Sequence, residues 1–280
     1  MKFCVLHNNK SGGFRTLKQK ITAAMPDEKL YFRSMPAIKD FKKFFKDIDG
    51  DDVIICGGDG TINYFINKIN GIKRKSHIWY FNAGSGNDFH KDVDGGGKPY
   101  CIEQYIKDLP QVTVHGKKYL TINGAGCGID SYACDEGEKK RKRDGKPVNY
   151  ARQAIKGIMG GFKPFNAKVV VDGKEYDFKN VWLLPVMKGS YFGGGIKAAP
   201  NQKRMKDDKL TMVAISKASR LRFLMVLGKG FSGKHIKYKK FVKLIRGYDF
   251  KVELDRKMPI QIDGELVSDV IKYQIKAPKK

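Results

Sequence analysis

The sequence contains no apolar stretch approaching the ~18 residues of a membrane-spanning helix, so any membrane contact is expected to be peripheral. Its N-terminal apolar run, Phe3 to Leu6, turns polar at His7 and is too short for a signal peptide. Cysteine is sparse and odd in number: Cys4, Cys56, Cys101, Cys127 and Cys134, with no Cys-x-x-Cys pair. That argues against a disulfide scaffold. Thiols set among apolar or glycine neighbours (Cys4, Cys56, Cys127) point instead to a reducing compartment, the cytoplasm. No internal repeat is present, which excludes an array of stacked units. Acid is also scarce: 29 Asp and Glu against 55 Lys and Arg, for a net charge of +26. Such a charge speaks about partners rather than fold, and it leaves nucleic acid, anionic membrane surfaces and phosphorylated substrates open.

What is present is an ordinary globular composition. Counting Gly in place of Tyr raises the stated 41% hydrophobic fraction to about 47%, inside the usual range. At about 150 residues per domain, 280 residues make about two domains, with enough chain for a large core. The first hundred residues alternate apolar strands with amphipathic helices. Strands are expected at Phe3–Leu6, Leu30–Phe32, Val53–Cys56 and Ile78–Phe81, and helices at 16–25, 37–48 and 62–69. That alternation implies an α/β domain with a parallel sheet. From about residue 112 short β-like runs take over, at 119–123, 167–171, 181–186, 210–215, 248–254 and 260–262, joined by turns such as Asp172-Gly173. Helical insertions are expected at 149–158 and 219–228, and an exposed charged loop at 138–145. The second part is thus expected to be mostly antiparallel β. The division is placed at 1–115 and 116–280, with the last ~15 residues free to return to the first domain.

Three glycine turns follow predicted strands: Asn8-Asn9-Lys10-Ser11-Gly12-Gly13, Gly57-Gly58-Asp59-Gly60-Thr61, and Asn82-Ala83-Gly84-Ser85-Gly86-Asn87-Asp88. Glycine lets the backbone turn tightly and approach a ligand, and a following helix N-terminus favours phosphate. In a parallel sheet all three would lie at the carboxyl ends of strands, where such sheets bind ligands. An acid beside phosphate, Asp59, suits magnesium binding or proton acceptance, and a plain helix cap is the rival explanation. Near the other end, Asp263-Gly264-Glu265 sets two carboxylates two apart. In an extended segment both would face one site; the alternative is a hairpin with Asp-Gly at its tip.

Together these motifs resemble the diacylglycerol kinase catalytic family: bacterial lipid kinases, diacylglycerol kinases, sphingosine kinases and ceramide kinases. The resemblance runs nearly end to end. Asn8 to Gly12 is similar to the family's Asn-Pro-x-Ser-Gly turn, Gly57 to Thr61 is its nucleotide signature, and Asn82 to Phe89 resembles Pro-x-Gly-Thr-Gly-Asn-Asp-Phe. Asn123 to Asp130 resembles the Gly-x-Gly-x-Asp segment that opens the second domain. Gly193-Gly194-Gly195, Pro200 and Asp207-Asp208 follow, then Gly233-Lys234-His235 and the closing Asp263-Gly264-Glu265.

The resemblance implies an active site in the cleft between the α/β and β-rich domains, using ATP and Mg²⁺ and transferring the γ-phosphoryl group to a lipid hydroxyl, with diacylglycerol as first choice. It implies nucleotide contacts from Asn8, Lys10, Ser11, Gly12, Gly57, Gly58, Asp59, Gly60, Thr61, Gly84, Ser85, Gly86, Asn87 and Asp88. Asp59, Asp263 and Glu265 are the implied catalytic acids, either Asp263 or Glu265 serving as base with Asp59 a rival. Asp208, with Asp207, is the implied magnesium site. Four departures bear on this: Asn9 and Asn82 replace prolines, Tyr64 stands where bacterial members have Glu, and Lys209 replaces a glycine.

A kinase with a lipid substrate must reach a bilayer, and Lys139–Arg143 and Lys234–Lys243 are the candidate basic patches for an anionic membrane. The segment Leu221–Leu227 could dip into the interface, with a buried helix as the alternative. The rival enzyme is an NAD kinase, which shares the Gly-Gly-Asp-Gly turn. From another class comes a nucleic-acid-binding protein, suggested by charge alone. No zinc ligands, ribonucleoprotein-type aromatic motif or basic recognition helix accompany that charge, so no specific nucleic acid is expected. A homodimer is left open.

Overall fold

The computed structural model describes residues 1–8, 13–84, 87–145 and 148–278. The chain divides into two compact units, Met1–Asp108 and Leu109–Lys280.

The first unit runs β1 (Lys2–His7), α1 (Phe14–Ala24), β2 (Lys29–Ser34), α2 (Phe41–Asp47), β3 (Asp52–Gly57), α3 (Asp59–Ile69), β4 (Ile78–Asn82), α4 (Asp88–Val93), β5 (Tyr100–Cys101) and α5 (Glu103–Ile106). Its five strands lie in the order β2-β1-β3-β4-β5. The first four are mutually parallel, and the two-residue β5 is an antiparallel edge. Central strands covered on both faces must be apolar throughout, and Phe3 to Leu6 and Val53 to Cys56 are all buried. The order reverses between β1 and β3, so the turns after those strands leave the sheet at its topological switch point. Helix α2 starts later than the apolar spacing suggests because Asp40 caps it, its carboxylate accepting the N–H groups of Lys42 and Lys43 at 2.8 and 3.1 Å.

The second unit runs β6 (Gln111–Val114), β7 (Lys117–Leu120), β8 (Gly124–Gly128), α6 (Ile129–Asp144), α7 (Tyr150–Lys156), β9 (Phe165–Val171), β10 (Lys174–Met187), β11 (Leu210–Ser216), α8 (Arg220–Gly230), β12 (Val242–Gly247), β13 (Asp249–Ile262) and β14 (Glu265–Lys276). The sheet order is β12-β11-β10-β8-β13-β14-β6-β7, with β9 bonded to both β10 and β13, and every pair is antiparallel. Strand β6 pairs with β14, so the structural division falls at 108/109, earlier than the 115/116 read from the sequence. The last strand pairs with β13 and β6 in the sheet of the second unit.

One sequence expectation fails here and one strand had no expectation at all, each for a local reason. The charged run 138–145 is not a loop but the end of α6. Ion pairs three and four residues apart support it: Lys139 with Asp135 at 2.7 Å and Glu136 at 2.9 Å, and Arg141 with Glu138 at 2.6 Å. Basic residues occupy its last turn and Gly145 closes it at φ 65°. The glycine-rich β8 carries too little side chain to announce a strand. A Cβ on its Gly126 would lie 2.4 Å from Pro185 Cα, so glycine is what lets β8 approach β10.

Candidate functional site

In the first unit the turns after β3 and β4 are bonded into one structure. A Cβ on Gly84 would fall 2.6 Å from Gly58 Cα and 2.8 Å from its nitrogen, so the two backbones approach this closely only because residue 84 is glycine. A Cβ on Gly57 would meet the Thr61 side chain at 2.3 Å. The Gly57 carbonyl accepts from the Ala83 N–H at 3.0 Å and from the Tyr80 hydroxyl at 2.8 Å. Burial, with the Asp59 charge adding to it, raises the Tyr80 phenol pKa well above its ordinary value, so the hydroxyl stays a donor. Asn87 at φ 22° donates its amide to the Gly84 carbonyl.

Asp59 occupies the first turn of α3, yet its carboxylate serves the neighbouring turn. It accepts the Asp88 N–H at 2.7 Å and the Phe89 N–H at 3.0 Å, the two leading amides of α4. Gly57, Gly58, Asp59, Gly84, Asn87 and Asp88 are therefore brought together, while Gly60 and Thr61 lie inside the first turn of α3. Lys10, Ser11, Gly12, Ser85 and Gly86 lie outside the described residues. Asn8 and Gly13 flank the first turn, directly after β1 and before α1. Asn82, standing where the family has proline, accepts the Gly84 N–H at 3.3 Å and shapes the turn by a side-chain bond instead of a ring. Tyr64 packs on the Phe41 ring (centroids 6.5 Å apart) under the Lys68 ammonium, so surface packing replaces the carboxylate usual at that position.

In the second unit Asp263 and Gly264 are the two residues of a tight hairpin, at φ 48° and 92°, with Ile262 opposite Glu265. The two carboxylates do not share a face, because the chain reverses between them. Asp263 is 6% exposed and turns inward. Its oxygens accept the Ile122 N–H at 2.6 Å, the Asn123 N–H at 2.9 Å, the Gly124 N–H at 3.0 Å and the Thr121 hydroxyl at 2.9 Å. Buried Arg204 binds the same loop, donating to the Ile122 carbonyl and to Asn123 Oδ1 at 2.7 Å. Asp263 is thus an anchor with its acceptor capacity engaged. Glu265 is exposed, and its carboxylate has no hydrogen bond or ion pair with any described residue.

The expected magnesium pair does not fit a metal. Burial alone would raise the Asp207 pKa, but the Lys203 N–H at 2.6 Å and the Arg246 guanidinium at 2.6 Å hold it below the ordinary carboxylate value. Arg246 already supplies the cation there. Asp208 is half-buried next to it, and no cluster of three His, Cys, Asp or Glu suited to a metal occurs among the described residues. His235 is likewise structural, buried with its ring 3.0 Å from the Ala198 carbonyl.

From sequence, Arg204 carries no role, and Asp130 has a place at the end of the Gly-x-Gly-x-Asp segment but no role. Both Asp130 oxygens are sealed from solvent without a donor in hydrogen-bonding geometry. Burial pushes this carboxyl up to about 6, with the Ser131 N–H and the Gln261 amide offsetting only part. The signal available was its position, an acid in the first turn of a helix straight after Gly-x-Gly-x-Gly.

A model of the diacylglycerol kinase catalytic domain matches residues 2–115, and one of the YegS C-terminal NAD kinase beta sandwich-like domain matches residues 124–278. The chain belongs to the diacylglycerol kinase-like lipid kinase family. Membership makes it a kinase. Diacylglycerol kinase of Bacillus subtilis (strain 168) is 24% identical over 232 residues, covering 77% of this chain and 71% of that one. Diacylglycerol kinase 1 of Arabidopsis thaliana is 26% identical over 313 residues, 93% of this chain but 41% of the plant protein. The crystal structure of a diacylglycerol kinase from Bacillus anthracis str. Sterne superposes with a TM-score of 0.66 at 20% identity, covering 99% of this chain and 94% of that one. That likeness shows a shared fold: a parallel α/β unit followed by an antiparallel β unit.

Proposed function

We propose that this lipid-kinase family member transfers the γ-phosphoryl group of ATP to a lipid hydroxyl, with diacylglycerol the first candidate acceptor. The observation that carries the reading is the division of labour among its acids. Asp59 and Asp263 spend their oxygens on backbone amides, whereas Glu265 stands exposed and unengaged beside the Asp263 anchor. The N-terminus of α3, entered from the glycine turn after β3 and without a side-chain cap, presents backbone N–H groups suited to polyphosphate. Glu265 takes the proton from the acceptor hydroxyl as its oxygen attacks the γ-phosphorus and the bond to the β-phosphate oxygen breaks, releasing ADP. Magnesium, where used, would arrive as the ATP complex and supply charge neutralisation, a role that asks for few protein ligands. On this reading the protein is cytoplasmic and meets its acceptor at an anionic membrane surface, in keeping with its +26 charge.

The test is ATP labelled in the γ-phosphate, supplied with Mg²⁺ and each candidate lipid in mixed micelles, with NAD in a parallel lane. Label in one lipid, lost with Glu265→Gln, is the expected result. Labelled NADP with no labelled lipid would assign the protein to NAD phosphorylation instead.

A further inference from the structure

Helix α8 is amphipathic in an unusual sense, since both of its faces carry large apolar side chains. Inward, Phe223 and Val226 are buried, and Trp182 stacks on Phe223 with ring centroids 4.7 Å apart and planes 12° apart. Outward, Leu221 is 78% exposed and Met225, one turn on, is 44% exposed; Phe231, just past the helix end, is 60% exposed. The π-helical turn Gly157–Gly161 touches α8 and shares its floor, because Phe162 at its end lies 5.9 Å from the Trp182 ring. It adds Met159, and α7 before it adds Ile155, both exposed. Large side chains gathered this way on two touching elements exceed the scatter of single exposed apolar residues normal on a protein surface.

Along the chain that forms these elements the charge is of one sign. No acidic residue occurs between Asp144 and Asp172, or between Asp208 and Asp249. Arg222 and Lys229 flank the Leu221–Met225 stripe at helical spacing, and the Arg222 guanidinium is held 5.6 Å from the Phe241 ring. The Lys139–Arg143 patch differs, for much of its charge is already paired with acids on α6.

We propose that the outer face of α8, with Phe231 and the adjoining π-helical turn, docks on an anionic phospholipid surface. The apolar side chains enter the boundary between headgroups and acyl chains while the flanking cations stay at headgroup level. Charge complementarity decides the occupant: a second copy seated on this face by two-fold symmetry would set cations against cations, whereas lipid phosphates neutralise them. The inference rests on the lipid-kinase reading only in its choice of biological setting, because docking is measured without turnover.

The full chain is sedimented with vesicles of equimolar phosphatidylcholine and phosphatidylglycerol, and with phosphatidylcholine alone. Wild type is expected to bind the anionic vesicles, more weakly at high salt. The double substitution Leu221→Ser with Met225→Ser, and separately Phe231→Ser, should each weaken that binding at least about tenfold. Ile271→Ser, at an exposed position on β14, should leave it unchanged. Thermal unfolding and light scattering accompany each variant. Folded α8 variants that bind as wild type overturn the proposal, whatever the acceptor. A change from dimer to monomer caused by the α8 substitutions overturns it in favour of self-association. Patch-dependent binding by a protein that labels no lipid leaves the docking surface standing and removes the lipid-kinase reading.

Discussion

The turn cluster of the first unit and the hairpin of the second use an aspartate for the same task to different depths. Asp59 gathers two backbone amides of α4 and remains half-exposed. Asp263 gathers three amides and a hydroxyl while buried, on a loop that buried Arg204 grips from its carbonyl side. A carboxylate in either place converts loose backbone into a defined shape, and the more deeply it is buried the more its loss leaves donors unsatisfied. Motif acids are therefore not all chemical groups. Here the aspartates bind backbone amides, and the exposed Glu265 is the acid we propose for proton transfer.

Four substitutions separate anchoring from chemistry in these acids. Asp263→Asn removes the charge and puts an amide where donors converge, so it should lower unfolding free energy by about 3–5 kcal/mol in urea at unchanged m-value. An Asp263→Asn protein as stable as wild type but inactive would instead return Asp263 to the chemistry. Glu265→Gln should do the reverse, cutting turnover by about 10²–10⁴-fold with the unfolding midpoint unchanged. Activity within a few-fold of wild type would remove it as the base.

Asp130 gives a pH test. Its folded pKa of about 6 lies above the ordinary 3.8, so the folded state holds the proton more tightly than the unfolded chain. The favourable contribution is complete below the ordinary value and is lost as pH rises through 6. Asp130→Asn should match wild type near pH 4 and exceed it by up to about 3 kcal/mol at pH 7, read from paired melts. A difference independent of pH would mean that the buried carboxyl does not titrate as its surroundings imply. Smallest is Asp59→Asn, expected to cost about 1–2 kcal/mol of stability while raising KM for ATP more than it lowers kcat, because the α4 amides lose their acceptor. A kcat effect alone would make Asp59 a participant in transfer.

Much of the first unit was legible in the chain. Continuous apolar runs such as Val53–Cys56 ending in glycine permit little except buried parallel strands leading into turns, and the alternation with helices dictates crossovers. The hairpin at Asp172-Gly173 was equally plain. Less legible was whatever depends on partners distant in sequence. Gly124–Gly128 is a strand only because β10 and β13 lie against it, and 138–145 is helical because acids earlier on α6 pair its cations.

Glycine turns after buried strands, the order of the motifs and an excess of positive charge are written in local residue types, because strand, turn and helix-start preferences act over a few residues. Which acid is free is not local. Asp263 and Glu265 stand two apart, and only a reversal at φ 48° and 92° sends one into a loop 140 residues earlier and leaves the other in solvent. Asp207 could be read as a metal ligand until β12 brought Arg246 to within 2.6 Å. The exposure of Leu221 and Met225 likewise depends on Trp182 having taken the opposite face of the helix. Burial and pairing are properties of neighbours, and for these residues the folded chain alone chooses the neighbours.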